Sequence, residues 1–494
     1  MTLMRPAWQS TVAAAFVGAL EASTFQAIGR ALLCRHDSAG VDSREHRPRS
    51  MVYLESLVFE NIRGFRTPDG PARLNFKRDD GGYAGWTVLA GRNGSGKTTF
   101  LRAISLALAG PNVARTLVPS FSHWVSDGAE SGLIQAAFSV GEGDALSPGG
   151  APPKRQPWAG LRWERTTAGP VPEMTESLPP SAPKLTARRG PWSDNPVGWF
   201  MAGYGPFRRL TGAAAEAQRL MLGNKRTSAL VTLFDESASL AESTWWLQEL
   251  YPKVLEGDAA AKGLQDDVIR MLDDGLLPEH SRVSQYNSDG LWIEQNGNSF
   301  LLEEMSDGYR VVSALVLDVI RRLVASYGRF ELQSRDDGSV FCSQPGVVLI
   351  DEVDVHLHVS WQQRIGFWMR EHFPAIQFIV STHSPFIVQA ASSRGLIRLA
   401  APDEADRVPR VIEQDEFRRI VNGDADQVVM SELFGLETTY GLETNRRRDA
   451  WREAVERGDS APLTDEAKID MGVTPSDEVA MALARLNQRL AAEI

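Results

Sequence analysis

Cysteine is nearly absent: Cys34 and Cys342 are the two in 494 residues. So few exclude a disulfide-stapled scaffold and fit a reducing compartment, and neither stands at a metal-ligand spacing. No apolar run is long enough to cross a bilayer. Positive charge is in deficit, with 52 Lys and Arg against 63 Asp and Glu and a formal net charge of −11. That balance argues against indiscriminate binding to nucleic acid, although a local basic groove stays compatible with it. No internal repeat is evident. What is present, 43% hydrophobic and 23% charged residues, is the composition of a globular protein. The length calls for two or more lobes.

The first fifty residues fit no folding pattern. STVAAAFVGAL is as apolar as the core of a signal peptide, yet only Arg5 precedes it and no clear cleavage site follows. Residues 1–50 are therefore expected to be a poorly ordered extension or an over-read start, with Met51 opening the first strand. Strands are predicted in MVYLESLVFENIRGF (51–65) and WTVLAG (86–91), and a helix from Thr98 to Leu108. Residues 141–196 are rich in Pro, Gly and Ser, but Trp158 and Trp163 between these runs point to a strand pair. The pattern over 210–285 predicts an inserted helical lobe. Core signals then return up to about residue 400, and 401–494 read as a mixed, helical tail. The expectation is an α/β head split over 51–209 and 286–400.

GRNGSGKT (91–98) satisfies G-x-x-x-x-G-K-[ST] in full, between a strand and a helix as the motif requires. Gly94 and Gly96 let the backbone curl so that N–H groups face phosphate oxygens. The helix N-terminus adds its positive end. Lys97 is expected between the β- and γ-phosphates, and the Thr98 hydroxyl on Mg²⁺. Nucleotide contacts are expected from Gly91, Arg92, Asn93, Gly94, Ser95, Gly96, Lys97, Thr98 and Thr99. The cofactors implied are ATP and Mg²⁺.

GVVLIDEVDVHLH (346–358) is an apolar strand ending in Asp351 and Glu352. The aspartate suits a hold on Mg²⁺, and the glutamate suits polarising the water that attacks the γ-phosphate. His356 and His358 form an H-x-H pair with no third clustered ligand, so structural roles are expected of them. His383 follows another buried strand, IQFIVS, and could bond a γ-phosphate oxygen or hold the attacking water. Ser306 and Asp307 can cap a helix over about 308–325, with Gly308 leaving room for close backbone approach. That helix end is a second anion-binding surface, which makes most sense when another subunit presents it.

GRNGSGKT, MSDGYR, VVLIDE and STHSP together resemble the head of ABC-type ATPases of the SMC/RecF branch. The resemblance implies an ABC-type P-loop NTPase head, with MSDGYR as the signature, the Asp354 region as the D-loop and His383 as the switch histidine. It also implies a homodimer or higher oligomer joined through the ATP sites, with Ser306 and Gly308 facing the partner's nucleotide. Arg63 and Phe65 would lie near the nucleotide. YGPFRRL (204–210), DEVDVHLHVSWQQRI (351–365) and DQVVMSELFGLET (426–438) resemble stand-alone defence ATPases of Septu systems and retron-associated ATPases. Val359 departs from the proline usual after H-L-H. The Q-loop residue has Gln135 as one candidate, with YGPFR as an alternative. The chain has no long heptad arms of the SMC rod type.

Glu413 and the Asp424–Asp426 pair lie too close together for a Toprim nuclease site, and are read as loop or cap acids. No nuclease site is expected within the chain. NRRRDAWREAVERGD (445–459) reads as a solvated helix face or a DNA contact. The expected function is a cytoplasmic ATPase that dimerises around ATP. It would act as sensor or regulator in a DNA-related antiphage system with a separate effector, an HNH-type nuclease or retron components. Alternatives are a RecF-like repair ATPase, an ABC transporter ATP-binding subunit, although no membrane partner is expected, and an ATP-bound scaffold with little turnover.

Overall fold

Strands with near-continuous apolar runs need both faces covered, and here two sheets and a layer of helices supply the cover. The computed structural model describes residues 53–139, 155–167, 169, 171–183, 186–193, 199–208, 215–221, 223–278, 280–405, 407–457, 464, 467 and 470–472. The expectation for 1–50, and Cys34 with it, lies outside the described residues.

The first part runs β1 (Tyr53–Glu60), β2 (Ala72–Asn75), β3 (Gly85–Ala90), α1 (Lys97–Ala109), α2 (Pro111–Leu117), β4 (Ser131–Ser139), β5 (Trp158–Glu164), β6 (Glu173–Glu176), α3 (Thr186–Arg189) and β7 (Met201–Tyr204). The middle runs α4 (Ala215–Met221), α5 (Lys225–Ser228), α6 (Val231–Phe234), α7 (Ala241–Leu255), α8 (Ala259–Asp273), β8 (Ser281–Asn287), β9 (Gly290–Gln295), β10 (Asn298–Leu301) and α9 (Asp307–Tyr327). The last part runs β11 (Leu332–Ser334), β12 (Val340–Cys342), β13 (Gly346–Ile350), α10 (Val359–His372), β14 (Ile376–Ser381), α11 (Pro385–Gln389), β15 (Leu396–Arg398), β16 (Arg410–Val411), α12 (Gln414–Asn422), α13 (Ala425–Met430) and α14 (Leu442–Glu456).

The central sheet has the order β16-β15-β3-β14-β13-β7. All neighbours in it are parallel except β16, which closes the edge antiparallel to β15. A second sheet, β2-β1-β4-β5-β6, is wholly antiparallel. The strand pair expected around Trp158 and Trp163 is β5 with β6. Alternation decides which side chain enters which core. Trp86, Val88 and Ala90 of β3 and Val348 and Ile350 of β13 enter one; Leu89, Val347 and Leu349 enter the other.

Helix α1 lies between the two sheets. Phe100, Leu101, Ile104 and Leu108 are buried, as the apolar spacing predicts, and so are Ala103, Leu106 and Ala107. A helix apolar all round is one enclosed all round. The other face of the parallel sheet carries α7, α8, α9 and α10. Leu247, Leu250, Val268 and Met271 from the helices expected over 210–285 share one core with Leu315 and Ile320 of α9 and with Val348 of the sheet. Ala217 and Met221 of α4 and Val231 and Leu233 of α6 enter the other core, so the helices expected as one inserted lobe are divided between the two sides of the sheet.

A buried ionic cluster fastens α9 to that sheet. The fully buried Asp318 accepts from the Tyr204 hydroxyl at 2.8 Å, from Arg321 at 2.7 Å and from Arg322 at 2.5 Å. Arg322 also donates to the Ser228 carbonyl at 2.9 Å, and Arg321 pairs with Glu242 at 3.2 Å. Burial alone would raise the Asp318 carboxyl, but the Arg322 and Arg321 guanidinia outweigh it and hold it down at about 2. The depressed value means stability that is fully present above 3.8 and lost as pH falls through about 2. Asp318→Asn leaves the enclosed Arg322 guanidinium without its carboxylate, while Arg321 keeps Glu242, and is expected to cost about 3–5 kcal/mol at neutral pH. Denaturant unfolding followed by circular dichroism should show that deficit, and show it shrinking as pH falls from 4 towards 2.

Candidate nucleotide site

The loop between β3 and α1 has the backbone that its glycines require. Gly94 sits at φ 77° and Gly96 at φ 92°, the left-handed region that L side chains avoid. A Cβ on Gly96 would lie 2.7 Å from the Phe65 ring, and one on Gly91 would lie 2.5 Å from the Leu399 carbonyl oxygen. Phe65 is thus the floor of the loop, braced edge-on by Phe59 and Phe100. The Lys97 ammonium folds back onto the carbonyls of Gly91 at 2.9 Å and Arg92 at 3.4 Å. The Ser95 hydroxyl is buried and has no partner among the described residues. Arg92, Asn93 and Gly94 are exposed, and Thr98 and Thr99 half-buried at the first turn of α1.

β13 ends beside this loop, and its acidic turn is held from β14. Ser381 donates its hydroxyl to Asp351 at 2.5 Å and accepts the Glu352 N–H at 2.8 Å. The Asp351 N–H donates to the Tyr204 carbonyl at 2.8 Å. Asp351 is buried at 1% exposure, and Glu352 is half-buried at φ 46°. Burial, then Asp351 and Asp354, raises the Glu352 pKa. Burial lowers that of Lys97, opposed by the charges of Asp351, Glu352 and Asp354. His383 lies exposed at the mouth; partial desolvation, then the Lys97 ammonium, lowers its pKa, which keeps the ring neutral at pH 7. Lys97, Asp351, Glu352, Asp354 and His383 therefore form one electrostatic cluster. Asp354 also accepts from Thr382 at 2.5 Å and from the His383 N–H at 3.3 Å.

Ser306 is exposed at the N-cap position of α9, but its side chain makes no capping bond. Asp307 pairs instead with Arg310. A Cβ on Gly308 would lie 3.3 Å from the His356 carbonyl oxygen of the same chain. His356 lies in the turn at φ 66°, and His358 caps α10 by accepting the Ser360 N–H. Neither stands in a strand. Gln135 is mid-strand in β4, and its amide donates to Ser177 at 3.2 Å. The middle of a sheet is a poor place for a loop residue that must move with nucleotide. Glu413 and Asp424 occupy N-cap positions of α12 and α13. Arg446 and Arg447 pair with Glu443, and Arg452 with Asp449.

Several contacts were invisible to motif reading. Ser381, Thr382 and Arg208 act on backbone or carboxylates far away in sequence. Pro402, Asp403 and Gly435 from the C-terminal part brace the loop: Pro402 against Gly94, Asp403 paired with Arg92 at 3.4 Å, and Gly435 against the Arg92 stem. No periodicity marks such contacts.

A triphosphate with a divalent cation fits these residues. The curled loop, the orphan Ser95 hydroxyl and the inward ammonium suit phosphate oxygens, and the Thr98 hydroxyl with the Asp351 carboxylate offers hard oxygen donors. Gly91→Ala has no space for its methyl against backbone. Nucleotide affinity, read by titration of a fluorescent ATP analogue, is expected to fall roughly tenfold or more, with the circular dichroism spectrum unchanged.

Comparison with known proteins bears on the same segments. A family described as "AAA domain, putative AbiEii toxin, Type IV TA system" matches residues 226–389, and an "AAA domain" family matches 56–136. The chain is 27% identical over 168 residues to the Septu protein PtuA of Bacillus thuringiensis, which is 33% of this chain and 40% of that one. It is 40% identical over 112 residues to the Retron Vc95 probable ATPase of Vibrio cholerae serotype O1 biovar El Tor, 23% of this chain and 20% of that protein. These matches span two fifths or less of the relatives' own length. An SMC head domain with an extended coiled coil, from Pyrococcus furiosus, aligns over 75% of this chain and 99% of its own, at 16% identity and a TM-score of 0.43. With its phosphate loop between β3 and α1 and two AAA-domain families matching parts of it, the chain has a P-loop ATPase fold, and it is related in sequence to a Septu protein PtuA and a retron ATPase.

Proposed function

We propose that this chain hydrolyses ATP at a site that a second copy completes, and that it serves as the regulatory ATPase of a DNA-related antiphage system with a separate effector nuclease. The convergence of Lys97, Asp351, Glu352, Asp354 and His383 on one phosphate loop carries the hydrolytic part. The likeness to a Septu protein and a retron ATPase supports the defence part.

Loop amides and Lys97 would hold the phosphates and oppose the charge that develops on transfer. Magnesium, held by Thr98 and Asp351, would supply further neutralisation of phosphate charge. Glu352 would accept the proton of the attacking water, and its raised pKa strengthens it as a base. Neutral His383 would donate to a γ-phosphate oxygen or orient the water. The α9 N-terminus, with Ser306 exposed, would meet the partner's triphosphate. Closure on ATP and release on hydrolysis would switch the effector.

Two variants test the composite site. Lys97→Ala and Ser306→Arg should each be inactive alone. Mixed in equal amounts, they should recover roughly a quarter of wild-type turnover, the value for random pairing of two-site dimers. Phosphate release and sedimentation read the outcome; a fully active wild-type monomer would overturn the proposal. Glu352→Gln should bind ATP, turn over on the order of 10²-fold more slowly, and accumulate as dimer. Indifference of the system to Glu352→Gln would instead indicate a scaffold.

A further inference from the structure

The segment YGPFR (204–208) leaves β7 and ends in Arg208, which is 1% exposed. Among the described residues its guanidinium pairs with no carboxylate. Its two Nη groups donate to backbone, and among the described residues its buried Nε has no partner. Nη1 donates to the carbonyls of Gly205 and Asp351, both at 3.0 Å. Nη2 reaches those of Glu352 at 3.1 Å, Val353 at 3.2 Å and Val355 at 3.4 Å. Four carbonyls of one acidic turn therefore converge on a single enclosed cation.

Enclosing a cation is unfavourable, and burial pulls the Arg208 pKa down to about 10 against the opposing charge of Asp354. Something must offset that. Without Arg208 the enclosed carbonyls of Asp351 and Val353 would lose this donor, whereas the Glu352 carbonyl would keep the Val355 N–H at 3.1 Å. The turn also sets Glu352 at φ 46° and His356 at φ 66°, which a residue with a Cβ adopts at a cost of roughly 1–3 kcal/mol. Ser381 clamps the same turn from the other side, through its hydroxyl to Glu352 and its carbonyl to the Val353 N–H at 3.0 Å. A planar fork with five donors can fix several carbonyls at once, whereas an ammonium on a flexible stem cannot.

We infer that Arg208 is the positioning residue for Glu352. It acts through the backbone of residues 351–355, holds the left-handed turn that aims the carboxylate, and touches no part of the nucleotide. The inference rests on the hydrolytic role proposed for Glu352.

Arg208→Lys tests it, with wild type and Glu352→Gln measured alongside. Absence of turnover in wild type would defeat the hydrolytic reading by itself and leave Arg208 to be judged by exchange alone. With turnover present, Arg208→Lys should bind ATP within about twofold of wild type and lose on the order of 10²-fold in kcat. Added to Glu352→Gln, it should change the residual rate by less than about twofold, because both act at one point. Amide exchange in the nucleotide-free protein should quicken over 351–357 and stay unchanged in β3 and α1. A kcat within about twofold of wild type, a loss additive with Glu352→Gln, or unchanged exchange over 351–357 would each overturn the assignment. So would equal loss of nucleotide affinity, or failure of both Arg208→Lys and Arg208→Gln to fold, since each marks a residue of general stability.

Discussion

The site depends on one register. Val380 of β14 lies opposite Ile350 of β13 and Val88 of β3, and Ser381 lies opposite Leu89. Parallel strands in that alignment end at one level, so the phosphate loop, the acidic turn and the histidine segment leave the sheet from a common edge. A slip of one residue would turn Ser381 away from Asp351 and exchange the two apolar faces. The cores on either side of the sheet forbid that slip, because Trp86 and Phe378 fit one layer and Leu89 and Ile379 the other. Packing thus sets the chemistry's geometry before any ligand arrives.

Local chemistry made part of this legible in the sequence. GRNGSGKT needs glycine where φ is positive and lysine where phosphate charge gathers, and each requirement shows in the letters. The apolar runs before Asp351 and His383 announced buried strands for the same reason. Arg208 and Asp318 were not legible in that way. Arg208 reaches Asp351 across 143 residues and Tyr204 reaches Asp318 across 114. The sequence marked Arg208 only as part of the YGPFR segment, with no contact assigned to it, and Asp318 as one more polar residue along a helix. Their partners are backbone or side chains that only the fold supplies.

Gln135 and Ser306 show two other limits. A glutamine inside an apolar strand can donate to a side chain elsewhere in its sheet region, as Gln135 does to Ser177 just beyond β6, without any part in a loop. A serine before a helix can occupy the capping position without making the bond, as Ser306 does. A free hydroxyl and free amides at an exposed helix end remain available to an anion from outside the chain.

The enclosure of α1 has a consequence for how the chain comes together. In the central sheet β3 is flanked by β14 and β15, both drawn from the far half of the sequence. During synthesis, β1, β2, β4 and β5 can pair as soon as they emerge, but α1 then has a covering on one side only. Its other apolar side must wait, in water, for strands made some 250–300 residues later. Such a chain is slow to mature and open to wrong association in the interval, so its yield in a cell should hinge on chaperones shielding that half-built layer.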